Sequence, residues 1–271
     1  MTAPTSDIYT HGHHDAVLRS HRWRTAENSG AYLLPLLEPG MRLLDVGCGP
    51  GTLTADLAAL VAPGLVVGVD IAVAPLAEAR AHASDRGIGN VSFVEGDFRS
   101  CESLGEGRFD VVHAHQVLQH LRDPVGALRA MARLAKPGGI VAVRDADCSA
   151  MTWAPDSARL DRWRAIYLEV TRRNGAEANA GRWLLEWAHA AGLRDISYTT
   201  STWTFSTPAD RAWWGQLWAE RIVRSSFAEQ AVSYGIATAA ELEAVADGWR
   251  SWAAQPVGVF IILHGEVIAR A

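Results

Sequence analysis

The residues most able to do chemistry form a glycine run and a series of acids in the first half of the chain. Asp45-Val-Gly47-Cys48-Gly49-Pro-Gly51 follows a short apolar run and precedes a helical pattern over 53–62. Residues this small let the backbone approach a ligand closely, and strand–loop–helix is the context in which such a loop binds one. Position 52 is Thr, so the loop reads GxGxG rather than GxGxxG. Asp70 stands 19 residues after Gly51, at the end of a second apolar run. A carboxylate there accepts hydrogen bonds from both ribose hydroxyls. Asp97-Phe98 ends a third run, an acid and a ring suited to the amine and the face of an adenine. A ligand-free turn would account for the glycines alone. Acids at three successive strand ends fit a bound nucleoside better.

Further candidates follow the fourth and fifth runs. His115 and Gln116 end FDVVHAHQ, and His120 opens the next helix. His120 is expected to be a general base, since an imidazole titrates near neutrality, although a helix-start histidine bonded to backbone is the plainer alternative. Asp145 is expected to orient the acceptor or take its proton, and Asp147 to be a solvated turn residue. His113 lies within a strand and is expected to be structural. The cluster His11, His13 and His14 invites a metal, but no cysteine lies at ligand spacing, so no metal is expected.

Strands that position these groups are legible over 41–47, 65–70, 91–97, 108–116 and 140–147, with helices over 53–62, 75–87 and 125–135. Strands apolar on both faces and alternating with helices indicate a parallel sheet covered on both sides. After residue 150 the rhythm changes. Helices are expected over 157–173 and 181–193, strands over 196–205 and 257–271, and a Trp-rich helical insertion between those two strands. Ten of the 11 tryptophans lie from Trp153 onward. Most should be core, including an i, i+4 stripe at Trp183 and Trp187, with Trp214 among the one or two lining an acceptor pocket. Gly12, Gly30 and Gly181 are candidate hinges.

The chain has 271 residues, 49% hydrophobic and 20% charged, which excludes a disordered chain or a disulfide-stapled mini-domain. No uncharged stretch reaches the ~20 residues of a membrane span. MTAPTSDIYT has no signal-peptide pattern, and three cysteines without CxxC suit a reducing cytoplasm. The net charge of −5 is the wrong sign for a phosphate backbone.

LLDVGCGPG (43–51), VVGVD (66–70), VEGDF (94–98), FDVVHAHQVLQHL (109–121) and KPGG (136–139) occur in order over residues 41–147. In these the sequence resembles class I S-adenosylmethionine-dependent methyltransferases, within them the ubiquinone/menaquinone C-methyltransferase-like group of small-molecule enzymes. The resemblance implies an α/β, Rossmann-like, seven-stranded, mostly parallel sheet with helices on both faces, a helical cap and an antiparallel last strand. It implies S-adenosylmethionine as cofactor, with Gly47 and Gly49 against the methionine portion, Asp70 on the ribose and Asp97 and Phe98 at adenine. His115 and Gln116 would lie along the sulfonium, with Asp45, Cys48 and Ile71 completing the cofactor shell. Residues 1–40 are expected to form a helical lid, with Tyr9 or His14 nearest the sulfonium and His14 a candidate substrate contact. The methyltransferase domain would span 41–271, its cap inserted at about 206–254. The expected partner is a small apolar or aromatic acceptor, with neither nucleic acid nor membrane involved and a homodimer left open. An NAD-dependent oxidoreductase, which wants a glycine where Thr52 stands, and a non-catalytic cofactor-binding protein are the alternatives.

Overall fold

The computed structural model describes residues 7–12, 14–100 and 102–271; His13 and Cys101 lie outside these. Among the described residues eight strands form one sheet. Strands β1 (Leu43–Val46), β2 (Val66–Asp70), β3 (Val91–Glu95), β4 (Phe109–His115) and β5 (Ala135–Ala146) are parallel, in the order β3-β2-β1-β4-β5. β8 (Val259–Arg270) pairs antiparallel with β5, and β7 (Arg194–Phe205) runs antiparallel along the other edge of β8. The short β6 (Thr152–Ala154) extends the β5 side of β8. The sheet is thus mostly parallel and Rossmann-like, as its alternating pattern implied, with β6 added.

Apolar residues on both faces of β1 and β4 demand cover on both sides. On one face α5 (Pro124–Leu134) and α7 (Ala180–Ala191) bury Leu128, Met131, Leu184 and Ala188 against Val112 and Val143. On the other, α3 (Thr52–Val61) packs Leu53, Leu57 and Val61 onto Leu43, Val66 and Val111. Helix α4 (Val73–Asp85) follows β2. Starts and stops follow local chemistry. Asp123 caps α5 by accepting from the Gly126 N–H, with Pro124 at the first helical position, and Gly192 ends α7 in the left-handed region.

Tryptophan dominates a third core. Helices α6 (Ala158–Asn174), α8 (Pro208–Arg224), α9 (Ser226–Ser233) and α10 (Ala239–Ala253) close it over the ends of β7 and β8. Trp163 meets Trp218 edge-on at 4.7 Å and Trp249 at 4.9 Å, and Trp214 stacks on Phe205 at 4.3 Å. Each such pair adds about 0.5–1.5 kcal/mol beyond area burial. Trp183, expected in a packing stripe, is 41% exposed, because α7 turns that face outward; Trp187 alone packs against the sheet core.

The N-terminal region is less regular than its helical pattern implies, its described residues holding only α1 (Asp15–Arg22), α2 (Ala26–Ser29) and a turn at Leu34–Leu36. Side chains pin it. The Trp203 indole N–H donates to the Asn28 carbonyl at 2.6 Å, and Arg19 pairs with Glu220.

The candidate hinge glycines are packing sites. A β-carbon at Gly12 would strike the Ser226 side chain, and one at Gly30 would lie 3.1 Å from the Ala26 carbonyl. At Gly181 it would lie 2.7 Å from the Asp145 carbonyl oxygen and 2.8 Å from the Gly265 amide, so α7 rests backbone to backbone on the sheet. Gly181→Ala is therefore expected to destabilise the fold by about 1–3 kcal/mol, measured by urea unfolding; unchanged stability would show that α7 can move away freely.

Candidate active site

A cleft of about 640 Å³ opens at the carboxyl ends of β1, β2, β3 and β4, where open α/β sheets bind ligands. Its floor is the glycine loop. Gly47 has φ +66°, and a β-carbon there would come within 2.5 Å of Val117. Gly49 has φ +52°, and its β-carbon position faces open space, with only the His21 ring at 3.8 Å. Both conformations suit glycine, and at Gly49 the backbone itself is the cleft surface. Asp70 fixes this loop: Oδ2 accepts from the Gly49 N–H and Oδ1 from the Ala72 N–H, each at 2.9 Å. Beneath, the buried Asp45 carboxylate accepts from His113 Nδ1 at 2.8 Å and from the Thr54 hydroxyl at 2.6 Å.

Ile71 and Phe98 line the far end of the cleft, and Ile71 leaves 65% of its surface exposed. Asp97 stands beside them, and the Arg99 guanidinium that grips it holds its carboxyl below the usual carboxylate range. Arg99 also reaches Asp7 at 2.7 Å, and Asp7 accepts from the Arg122 N–H. The N-terminal arm is thereby strapped across the cleft mouth.

A second, smaller chamber of about 50 Å³ adjoins the cleft. Tyr9, His21, Arg24, Gln116 and His120 line both. Gln116, just past β4, adopts φ +54°, an unusual conformation for a residue with a side chain. Its Oε1 accepts from Arg24 at 2.6 Å, and its Nε2 donates to His264 Nε2 at 2.9 Å. Burial keeps His264 and His115 neutral, well below the usual imidazole range. Gln119 fixes the tautomer of His120. Its Oε1 accepts from the Ala146 N–H at 3.2 Å, so its Nε2 donates to His120 Nε2, also at 3.2 Å. The His120 lone pair is then occupied and its proton sits on Nδ1. Burial lowers this imidazole to about 3.

The methyltransferase-domain family profile matches residues 37–189. An uncharacterized methyltransferase of Schizosaccharomyces pombe is 31% identical over 99% of this chain and 98% of its own. This chain belongs to the class I S-adenosylmethionine-dependent methyltransferases. A ubiquinone biosynthesis O-methyltransferase of Hahella chejuensis is 38% identical over 44% of this chain and 54% of its own length. Among solved structures, a Haemonchus contortus phosphoethanolamine N-methyltransferase in complex with S-adenosylmethionine shares the fold (TM-score 0.53, 20% identity, 86% of this chain and 49% of that one).

S-adenosylmethionine fits the donor set of this methyltransferase's cleft. Asp70 keeps lone pairs for the ribose, the open cradle at Gly49 and the bare Gly47 suit a close-lying methionine portion, and Ile71 and Phe98 offer apolar surface for a base. Arg24 has no carboxylate partner among the described residues, and its Nε is unpartnered, which suits an amino-acid carboxylate.

The structure brings Asp45, Gly47, Cys48, Gly49, Asp70, Ile71, Asp97, Phe98, His115 and Gln116 to this cleft, with Trp214 in the second chamber and His120 in both. Two other candidates lie elsewhere. His14 caps α1, its Nδ1 accepting from the Ala16 N–H, and lines neither cavity. Asp145 lies beneath the turn carrying His120, where Oδ1 accepts from the Gln119 N–H at 3.1 Å. Asp147 is buried and paired with Arg182 at 2.5 Å rather than solvated. Among the described residues no group of three His, Cys, Asp or Glu side chains converges as metal ligands. Sequence patterns missed Arg24, Arg221, His264 and Tyr167, which come from distant segments carrying no local motif.

Two predictions follow from this geometry. Asp70→Ala is expected to weaken S-adenosylmethionine binding at least tenfold, about 1.5 kcal/mol for a charged hydrogen bond, measured by calorimetric titration; unchanged affinity would remove Asp70 from the ribose. Burial raises Asp145 from 3.8 to about 7. The native state then binds more protons than the unfolded chain between these values, so this group's contribution to stability falls as pH rises through that window. Asp145→Asn should flatten that fall and gain on wild type from pH 4 to pH 8 in thermal unfolding; parallel curves would contradict the burial account.

Proposed function

We propose that this methyltransferase methylates a small, flat aromatic or apolar acceptor held where the cleft meets the second chamber and reaching into that chamber. One observation carries this reading: the chamber is walled by Trp163, Trp203, Trp214, Trp218, Tyr167 and Tyr9, and among the described residues no carboxylate lines it. Such walls select a planar apolar body, and a protonated amine would find no counter-charge there. When bound, S-adenosylmethionine supplies a methyl group on a sulfonium, a good leaving group that needs an in-line nucleophile. What the protein adds is mainly position, and holding reactants in line accounts for up to ~7–11 kcal/mol of a barrier.

In this account Gln116, at the junction of cleft and chamber, sets the wall between the two ligands through its bonds to Arg24 and His264. His120 acts as a donor through Nδ1–H and orients the acceptor, its other nitrogen being taken by Gln119. Asp145 is a positioning residue for the His120 turn. Residues 7–40 serve as the lid, through Tyr9, His11 and the Asp7–Arg99 strap, and the α8–α10 insertion is the cap. The test is release of S-adenosylhomocysteine from a panel of phenols, aromatic acids and amines. Turnover of a flat phenol or acid with amines inert is expected; preference for amines would overturn the acceptor reading, and binding of NADH without response to S-adenosylmethionine would overturn the transfer itself.

A further inference from the structure

The Trp-walled chamber also holds a cation that the transfer chemistry does not use. Arg221, on α8, is 5% exposed and lines the second chamber but not the cofactor cleft. Its Nη2 donates to the Ala16 carbonyl at 3.1 Å and to the Ser20 hydroxyl at 2.7 Å. Its guanidinium carbon stands 4.6 Å from the centre of the Trp218 ring. Those partners are neutral. Nε is buried with no partner, and no carboxylate of the described residues lies within ion-pair distance. Even the neighbouring pair of Arg19 and Glu220 consumes its own charge.

A buried guanidinium normally has an acid beside it, because an uncompensated charge in the interior costs several kcal/mol. The buried Arg144 follows the rule and pairs with Glu266 at 3.1 Å, whereas the also buried Arg211 donates to the Ser206 and Pro256 carbonyls and lines neither cavity. Around Arg221 the titratable groups facing it are Tyr9, Tyr167, His11, His21, Arg19 and Arg24, none of them an anion at neutral pH.

We propose that Arg221 is the specificity-determining residue of the acceptor chamber, and that the acceptor carries an oxyanion, carboxylate or phenolate, paired with its guanidinium. This rests on the aromatic-acceptor reading above and narrows it to acids. An anionic acceptor also needs no proton removed when its oxyanion is the nucleophile, in keeping with a His120 lone pair already engaged.

Protein saturated with S-adenosylhomocysteine, titrated calorimetrically with benzoate, 4-nitrophenolate and benzamide, tests this. Wild type is expected to bind at least one anion roughly tenfold or more tighter than benzamide, the scale of a charged hydrogen bond; which anion it prefers separates carboxylate from phenolate. Arg221→Met should erase that preference, Arg221→Lys should keep part of it, and both should bind S-adenosylhomocysteine as wild type does. Benzamide binding as tightly as the anions, no binding of either anion, or a preference that survives in Arg221→Met would overturn the proposal. The wild-type comparison decides without any variant. Failure of S-adenosylhomocysteine to bind would overturn the underlying reading as well, and is seen first.

Discussion

The Asp45 carboxylate, sealed under the glycine loop, is the constraint on which the site depends. It stands on β1, accepts from His113 on β4 and from Thr54 on α3, and so joins the elements that form the cleft floor. A buried acid left without these donors would cost its desolvation in full. With them it fixes the point where β1 ends. Asp70, on the neighbouring strand β2, then fixes the loop from the side through Gly49. Two carboxylates, one below and one beside the loop, hold a bare stretch of backbone in a shape that glycine alone adopts readily.

From that floor outward, the molecule is organised around a change of environment at Gln116. On the cleft side lie backbone N–H groups, acids and open space. Beyond it, the Trp-rich core encloses a chamber too small to hold the cofactor. The strained backbone of Gln116 persists because β4, Arg24 and His264 all constrain it. Strain held by surrounding structure at a junction of two ligand spaces is a common feature of functional sites. The tryptophans therefore do two jobs: they pack the core among α6, α8, α9 and α10, and their inner faces shape the acceptor space.

Much of this was legible in the sequence. Strand-end acids, the GxGxG loop and the alternation of strands and helices are local patterns, and the cofactor cleft is made of local patterns placed side by side by a parallel sheet. The acceptor chamber is not. Tyr9, Arg24, Trp163, Arg221 and Ile262 meet there from segments far apart in the chain, and nothing in the neighbourhood of Arg221 in the sequence marks it as buried. The roles expected of His120 and Asp145 also depended on unseen partners. The Gln119 amide occupies the imidazole lone pair, and a backbone N–H occupies the carboxyl. Likewise Trp183 and Trp187 share helical spacing, yet only one of them faces the sheet.

A crystal structure with S-adenosylhomocysteine bound would test the account most directly. It predicts the ribose on Asp70, the amino-acid end over Gly47 and Gly49 with its carboxylate on Arg24, and the sulfur facing the Trp-walled chamber past Gln116. A nucleoside seated away from Asp70, or a sulfur turned from that chamber, would contradict it.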